Sequence, residues 1–236
     1  MSELVVRGCV RVGLDGVNAY LVDTGGDRLT LIDTGTPILH PRRILRAIGA
    51  FGRTSDDLGD ILITHQHIDH AGGLAHIAAA TEARVHVHPL DAPEIKAGER
   101  PRPGIGRSPI TRLIARSARL RPVGPTTVVH YLGDGDEIID GVGIRSIHTP
   151  GHTAGHTVFL WPTHGGVLFV GDALANWCGR LGHAPSAEDW VQATGSIGRI
   201  AELDFRAVAF GHGPPLRDQA VARVRRFAEA VAGSRL

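Results

Sequence analysis

The stretch LITHQHIDHAGG, Leu62 to Gly73, sets His65, His67, Asp69 and His70 close together at the end of an apolar run. Three imidazoles repel one another when charged, and such groups are costly to bury without partners. A bound cation answers both problems. His65 and His67 alternate, so along an extended segment they point the same way, and imidazole nitrogens suit zinc at roughly 2.0–2.1 Å. Asp69 and His70 fall where the chain enters a helix and can address a second position nearby.

Three more apolar runs end in the same kind of residue: IRSIHTPG at His152, VLFVG at Asp172 and AVAFG at His212. With ILIT before His65, four predicted strands each deliver a metal-type side chain at the carboxyl end, where the strand bodies fix its geometry. Glycines stand beside every one of them (Gly72, Gly73, Gly151, Gly171, Gly211 and Gly213) and permit tight turns and close backbone approach. Two divalent ions about 3.5–4 Å apart need a bridging anion besides water. Asp172, with two carboxylate oxygens to share, is the candidate.

The elements that must position these groups are legible from periodicity. LVVRGCVRVG, NAYLVDTG and RLTLIDTG read as strands, ILHPRRILRAIGAFG as a helix, DILIT as a buried strand, AGGLAHIAAATEA as a helix and RVHVHP as a strand. TTVVHYL, GIRSIHTPG, HTVFLWP and GVLFVGDA are four further strands. SAEDWVQATGSIGRIAEL reads as a helix with Ser186 as N-cap and Glu188 in its first turn. RAVAFGHG is a last strand and RDQAVARVRRFAEAV a closing helix. No Ser- or Gly-rich linker divides the chain, so residues 1–236 read as one domain, two sheets packed together and covered by helices.

Composition sets the outer bounds. Of 236 residues, 42% are apolar and 21% charged, as in a soluble protein with a sizeable core. Aromatics are only 5%, so that core leans on Val, Ile, Leu and Ala. A net charge of +1 gives no global reason to expect nucleic-acid or membrane partners. No window approaches the ~20 apolar residues of a membrane span. Cys9 and Cys178 allow one disulfide at most, and MSELVVRGCVRVG lacks the pattern of a secretory leader; the expectation is a cytoplasmic protein.

The ordered set resembles the metallo-β-lactamase fold superfamily, in its glyoxalase II and lactonase-like branch. Asp33 in LIDTG, the run His65, His67, Asp69 and His70, then His152 in TPGHTAGH, Asp172 in VGDA and His212 in FGHG fall in that family's order. The resemblance implies an α+β fold, an αββα four-layer sandwich. It implies that His65, His67 and His152 bind a first metal, that Asp69, His70 and His212 bind a second, and that Asp172 bridges them. Asp33 would be a hydrogen-bond partner that fixes a ligand's orientation. The cofactors implied are two divalent metal ions, zinc first, with iron or manganese as alternatives. The reaction implied is hydrolysis of an activated acyl bond (thioester, ester or lactone) by a metal-bound hydroxide, with Asp69 orienting it or taking its proton. The alternative is a single-iron oxidoreductase resembling the persulfide dioxygenases.

Departures narrow the choice. The commonest zinc β-lactamases place Cys where this chain has Asp172. Glyoxalase II proper adds a long C-terminal helical region for glutathione, whereas 24 residues follow His212 here. Some lactonases carry a Tyr where this chain has Ala175. The flavin-linked branch carries an acidic ligand at the position of His67. His156 is expected to be structural or pocket-lining, and His86 and His88 to be strand residues without a metal role; His148 and His183 have no assigned role.

Arg100 to Arg121 carries seven arginines and no acid. Its first part, RPRPGIGRSP, reads as loop. Its second, ITRLIARSARL, reads as an amphipathic helix with Ile110, Leu113 and Ile114 opposite Arg112, Arg116 and Arg119. It belongs to an Arg-rich insertion at about 91–125. In that family such an insertion often walls the metals, so Arg112, Arg116 or Arg119 is expected to meet an anionic part of a small-molecule substrate. Oligomeric state is not fixed by the sequence.

Overall fold

The structure is a computed structural model, and it describes residues 2–118, 124–128, 130–139 and 141–233. In chain order the strands and helices are β1 (Ser2–Val6), β2 (Cys9–Leu14), β3 (Val17–Gly25), β4 (Arg28–Ile32), α1 (Leu39–Ala50), β5 (Leu58–Leu62), α2 (Ile68–Ala71), α3 (Leu74–Thr81), β6 (Arg84–Val87), α4 (Ala92–Ala97), β7 (Ile105–Gly106) and α5 (Pro109–Ala118). There follow β8 (His130–Tyr131), β9 (Arg145–His148), β10 (Thr157–Trp161), β11 (Val167–Phe169), β12 (Ala175–Trp177), β13 (Arg180–Gly182), β14 (Ser186–Ala187), α6 (Trp190–Ala201), β15 (Ala207–Ala209) and α7 (Ala220–Ala232).

Two sheets form the centre. One runs β1-β2-β3-β4-β5-β6-β8 and the other β15-β11-β10-β9. Strand alternation explains why both are buried on two faces. In β10, Phe159 and Trp161 meet Tyr20, Val22, Ile32 and Leu62 of the first sheet, while Val158 and Leu160 face the other way, with Ile197 and Ile200 of α6 and Val224 of α7. In β3, Tyr20 and Val22 point into the inter-sheet layer and Ala19 and Leu21 point out, with Ile44 and Ile48 of α1 and Leu74 and Ile77 of α3. Three apolar layers between four layers of secondary structure make an αββα sandwich. Cys9 is buried and Cys178 exposed, both as free thiols. Among the described residues no helix is long and apolar enough to cross a membrane.

The sequence reading needs correction in two places. The helix expected from Ser186 begins at Trp190, because Asp189 is the N-cap: its carboxylate accepts from the amides of Val191 and Gln192 at 2.8 and 3.0 Å. Ser186 and Ala187 instead form β14, paired with β7 inside the stretch read as loop, and Glu188 lies outside the helix. Of the strand expected over TTVVHYL, the described residues show β8 at His130–Tyr131.

Candidate metal centre

The predicted residues gather just beyond strand ends. His65 follows β5, Asp172 follows β11 and His212 follows β15, each on a short loop, while His152 lies on the turn after β9. His67 is the residue before α2, and Asp69 and His70 sit inside that one turn of helix. Close approach there requires glycine: a Cβ on Gly211 would come within 2.6 Å of both the Asp172 carboxylate and the His70 ring.

Two clusters that could hold a metal ion result. One nitrogen each from His65, His67 and His152 lie within 4.8 Å of one another, and so do single ligand atoms of Asp69, His70 and His212. His152 Nε2 is 3.1 Å from His65 Nε2 and 2.9 Å from His67 Nδ1. Asp172 stands between the sets. Its Oδ1 is 3.3 Å from His70 Nε2, and its Oδ2 is 3.5 Å from His152 Nε2 and 3.4 Å from His212 Nε2. Asp69 Oδ2 is 3.4 Å from His212 Nε2 and 3.8 Å from His70 Nε2.

The far side of each ring decides which nitrogen faces inward. His152 Nδ1 donates to the Ser186 carbonyl at 2.8 Å, and His212 Nδ1 to the Gly16 carbonyl at 2.7 Å. His70 Nδ1 donates to Asp33 Oδ2 at 2.8 Å. His65 Nδ1 donates to the Thr64 hydroxyl at 3.0 Å, which itself donates to Asp33 at 2.8 Å. Four imidazoles therefore commit Nδ1–H to the protein and turn Nε2 inward: His65 and His152 with a free lone pair, His70 and His212 as nitrogens that a metal ion would claim in exchange for a proton. Lone pairs facing one another at about 3 Å, with buried His70 Nε2 and Asp172 Oδ1 making no hydrogen bond, are the donor set a cation would complete. The residues fit a pair of divalent ions.

Electrostatics separates the two halves. Burial, reinforced by neighbouring imidazoles, holds His65 well below the usual histidine range and pushes His152 down to about 4; burial also lowers His67. At His70 burial opposes the charge, but the carboxylates of Asp172, Asp69 and Asp33 outweigh it and push the ring up to about 10. At His212 Asp172 and Asp69 likewise outweigh burial, to about 12. The second half is a field that seeks positive charge.

Asp33 lies between His70 and Thr64 and accepts hydrogen bonds from both. It sits at the left-handed φ of 58°, which Asp tolerates better than most residues. His156 is buried behind the centre, its Nε2 accepting from the Asp172 amide at 3.2 Å. His86 and His88 belong to neither set: His86 donates to Asp60 at 2.6 Å, and His88 stacks on His148 with ring centroids 4.0 Å apart. Arg112 is exposed and donates from Nε to the Gly106 carbonyl at 3.2 Å. Arg119 lies outside the described residues, as does the side chain of Arg116.

Several contributors were not foreseen. Asn18 Nδ2 and Tyr20 Oη reach the Phe210 carbonyl at 2.9 and 2.7 Å, and Asn18 also holds the Gly213 carbonyl at 2.7 Å, so the His212 loop is fastened from β3. Trp177 stacks on the His212 ring with centroids 5.8 Å apart and is 44% exposed. Asp91, Arg102 and Glu188 form an ion-pair cluster behind His152. Asn and Tyr inside a strand pattern, or an acid after RVHVHP, carry no signal in sequence for these long-range contacts.

The metallo-beta-lactamase superfamily profile matches residues 12–212. The chain belongs to the metallo-beta-lactamase superfamily. Among curated relatives it is 28% identical over 220 residues to the beta-lactamase-like protein 2 homolog of Caenorhabditis elegans, covering 92% of this chain and 62% of that one. It is 34% identical over 193 residues to the hydroxyacylglutathione hydrolase of Fuscovulum blasticum, covering 80% and 58%. The chain thus spans about three fifths of the length of these two relatives. A metallo-beta-lactamase of Cronobacter sakazakii with a HARLDQ motif superposes with a TM-score of 0.75 at 21% identity, over 98% of this chain and 92% of that one. Superfamily membership brings with it the expectation of divalent metal at the His and Asp clusters.

Proposed function

We propose that this superfamily member is a dinuclear metal-dependent hydrolase of activated acyl bonds, thioesters first among them, with zinc as the first metal to test. The observation that carries this reading is Asp172, whose two oxygens face His70 on one side and His152 and His212 on the other. In this reading His65, His67 and His152 would hold one ion and Asp69, His70 and His212 the other, with Asp172 available to both. A pair of divalent ions supplies an acidified water and a polarised acyl carbonyl.

The chain's own residues do the rest. Asp33, Thr64, Ser186 and Gly16 fix the ring orientations through the hydrogen bonds described. Asp69, partly exposed where Asp33 and Asp172 are buried, would accept the proton of the attacking water and pass it outward. Trp177 offers an apolar face beside His212 for the acyl group. Arg112, Arg116 and Arg119 are offered as cations for an anionic carrier on the leaving thiol. The relative named as a hydroxyacylglutathione hydrolase supports the thioester preference, since an acyl group on glutathione is a thioester.

A single-iron oxidoreductase would draw on the first set alone. The second set, as fully hydrogen-bonded as the first, favours two ions. The test is a hydrolysis panel of thioesters, lactones and aryl esters on protein of measured metal content. Thioester turnover with two divalent ions per chain is expected. One iron per chain, with persulfide oxidation and no acyl hydrolysis, would overturn the reading.

A further inference from the structure

Among the described residues of the insertion, Arg102 is the arginine with the most hydrogen bonds, all of them to the protein itself. Its guanidinium donates to Asp91 Oδ1 and Glu94 Oε1, both at 2.5 Å, to Glu188 Oε1 at 3.0 Å and to the Leu90 carbonyl at 2.8 Å. Asp91 is fully buried. Besides Arg102 it accepts from the Gly155 amide at 2.9 Å, the Thr153 hydroxyl at 2.6 Å and the Gln66 amide at 3.0 Å. Glu188 adds a second fastening: its carboxylate accepts from the Ala154 amide at 2.9 Å and the Gln66 side chain at 3.2 Å, and its own amide donates to the His152 carbonyl at 3.1 Å.

The placement of these partners matters. Gln66 lies between His65 and His67. Thr153, Ala154 and Gly155 follow His152 directly. The two loops that supply the first ligand set come from different sheets and are joined here through one buried carboxylate, with Arg102 as its charged partner. The insertion grips His152 a second way, since β7 pairs with β14, and the Ser186 carbonyl of β14 holds the His152 ring.

We propose that Asp91 and Arg102 are positioning residues that set the spacing of His65, His67 and His152 for the first metal ion, so that seating of the Arg-rich insertion controls metal affinity. The inference rests on the metal-binding reading above. A buried carboxylate that loses its cation is costly, and Asp91 would then move toward solvent or take a proton. Either change draws the Gln66 and Gly155 amides apart. Imidazole ligands tolerate only about half an ångström of misplacement.

The test titrates metal-free wild type, R102Q, R102K and D91N with zinc against a competing chelator, and with cobalt(II) followed by its visible spectrum. R84Q is the comparison, because Arg84 forms a similar pair with the buried Asp60, at 2.9 Å, well along β5 from the ligands. R102Q and D91N should weaken the first equivalent about tenfold or more and alter the cobalt spectrum. R102K, keeping charge without the planar fork, should fall between. R84Q should lower thermal stability yet bind metal like wild type. Affinity and spectrum unchanged in R102Q, or weakened equally in R84Q, would remove the clamp and leave the metal reading standing. Wild type that binds no metal would remove the metal reading itself.

Discussion

Asp33 Oδ2 accepts the Nδ1 proton of His70 at 2.8 Å, and the same carboxylate takes the Thr64 amide at 2.9 Å and the Thr64 hydroxyl at 2.8 Å. One buried acid at the end of β4 therefore orients His70 directly and His65 through Thr64. In D33N the side chain keeps its shape, and the left-handed backbone remains acceptable. Its amide, however, cannot accept from both partners. Zinc affinity of the second site should fall about 10- to 100-fold, read by competitive titration. D33A should also lower the melting temperature, because it leaves the buried Thr64 amide without an acceptor. Unchanged second-site affinity in D33N would show that His70 is oriented by packing alone.

Asp69 is the acid of the site that reaches solvent. D69N should reduce kcat by about two to four orders of magnitude while the first metal equivalent and the melting temperature stay close to wild type. Full activity in D69N would contradict its role in handling the proton.

Acidity should strip the two sets in order. Protonated imidazole has no lone pair to offer. His70 and His212, raised by Asp172 and Asp69 to about 10 and 12, hold protons against a metal at neutral pH, whereas His152 is pushed down to about 4 by burial. As pH falls from 8, the second ion should leave before the first, followed by metal content after dialysis at each pH. Metal-free protein gives the complementary signs. Stability from charged His70 and His212 is complete below the ordinary histidine value and fades as pH rises through their raised values. Stability from neutral His65, His67 and His152 is complete above that ordinary value and is lost as pH falls toward about 4. A melting temperature of metal-free protein that rises steadily with pH would contradict the raised pair.

How much of this was legible in sequence follows from how local each signal is. The His- and Asp-rich run LITHQHIDHAGG and the turns at His152, Asp172 and His212 are visible because each ends an apolar run. The αββα layering is visible because the strands read as continuous apolar runs, as sheets buried on both faces must. Sequence does not separate the two possible starts of α6, because Ser186 and Asp189 are both good caps. Only pairing with β7, 80 positions away in sequence, commits Ser186 to a strand. Asp91, Arg102, Asn18 and Tyr20 were invisible for the same reason. Their partners are set by the packing of two sheets, and an arginine that pairs with three carboxylates reads in sequence like one that faces solvent.

The walls of the site predict selectivity on one substrate panel. W177A should raise KM about three- to tenfold for aromatic or long acyl groups and little for acetyl, at unchanged metal content. Replacing Arg112, Arg116 and Arg119 together by Ala should raise KM for thioesters of acidic carriers more than for neutral esters. Equal effects across the panel, in either variant, would reject the corresponding contact.

The central claim is two divalent ions sharing Asp172. Native mass spectrometry of metal-stripped chain titrated with zinc measures it directly. The account predicts two zinc ions per chain in wild type and one in a variant combining Asp69→Asn with His212→Ala. Saturation of wild type at a single ion would contradict it.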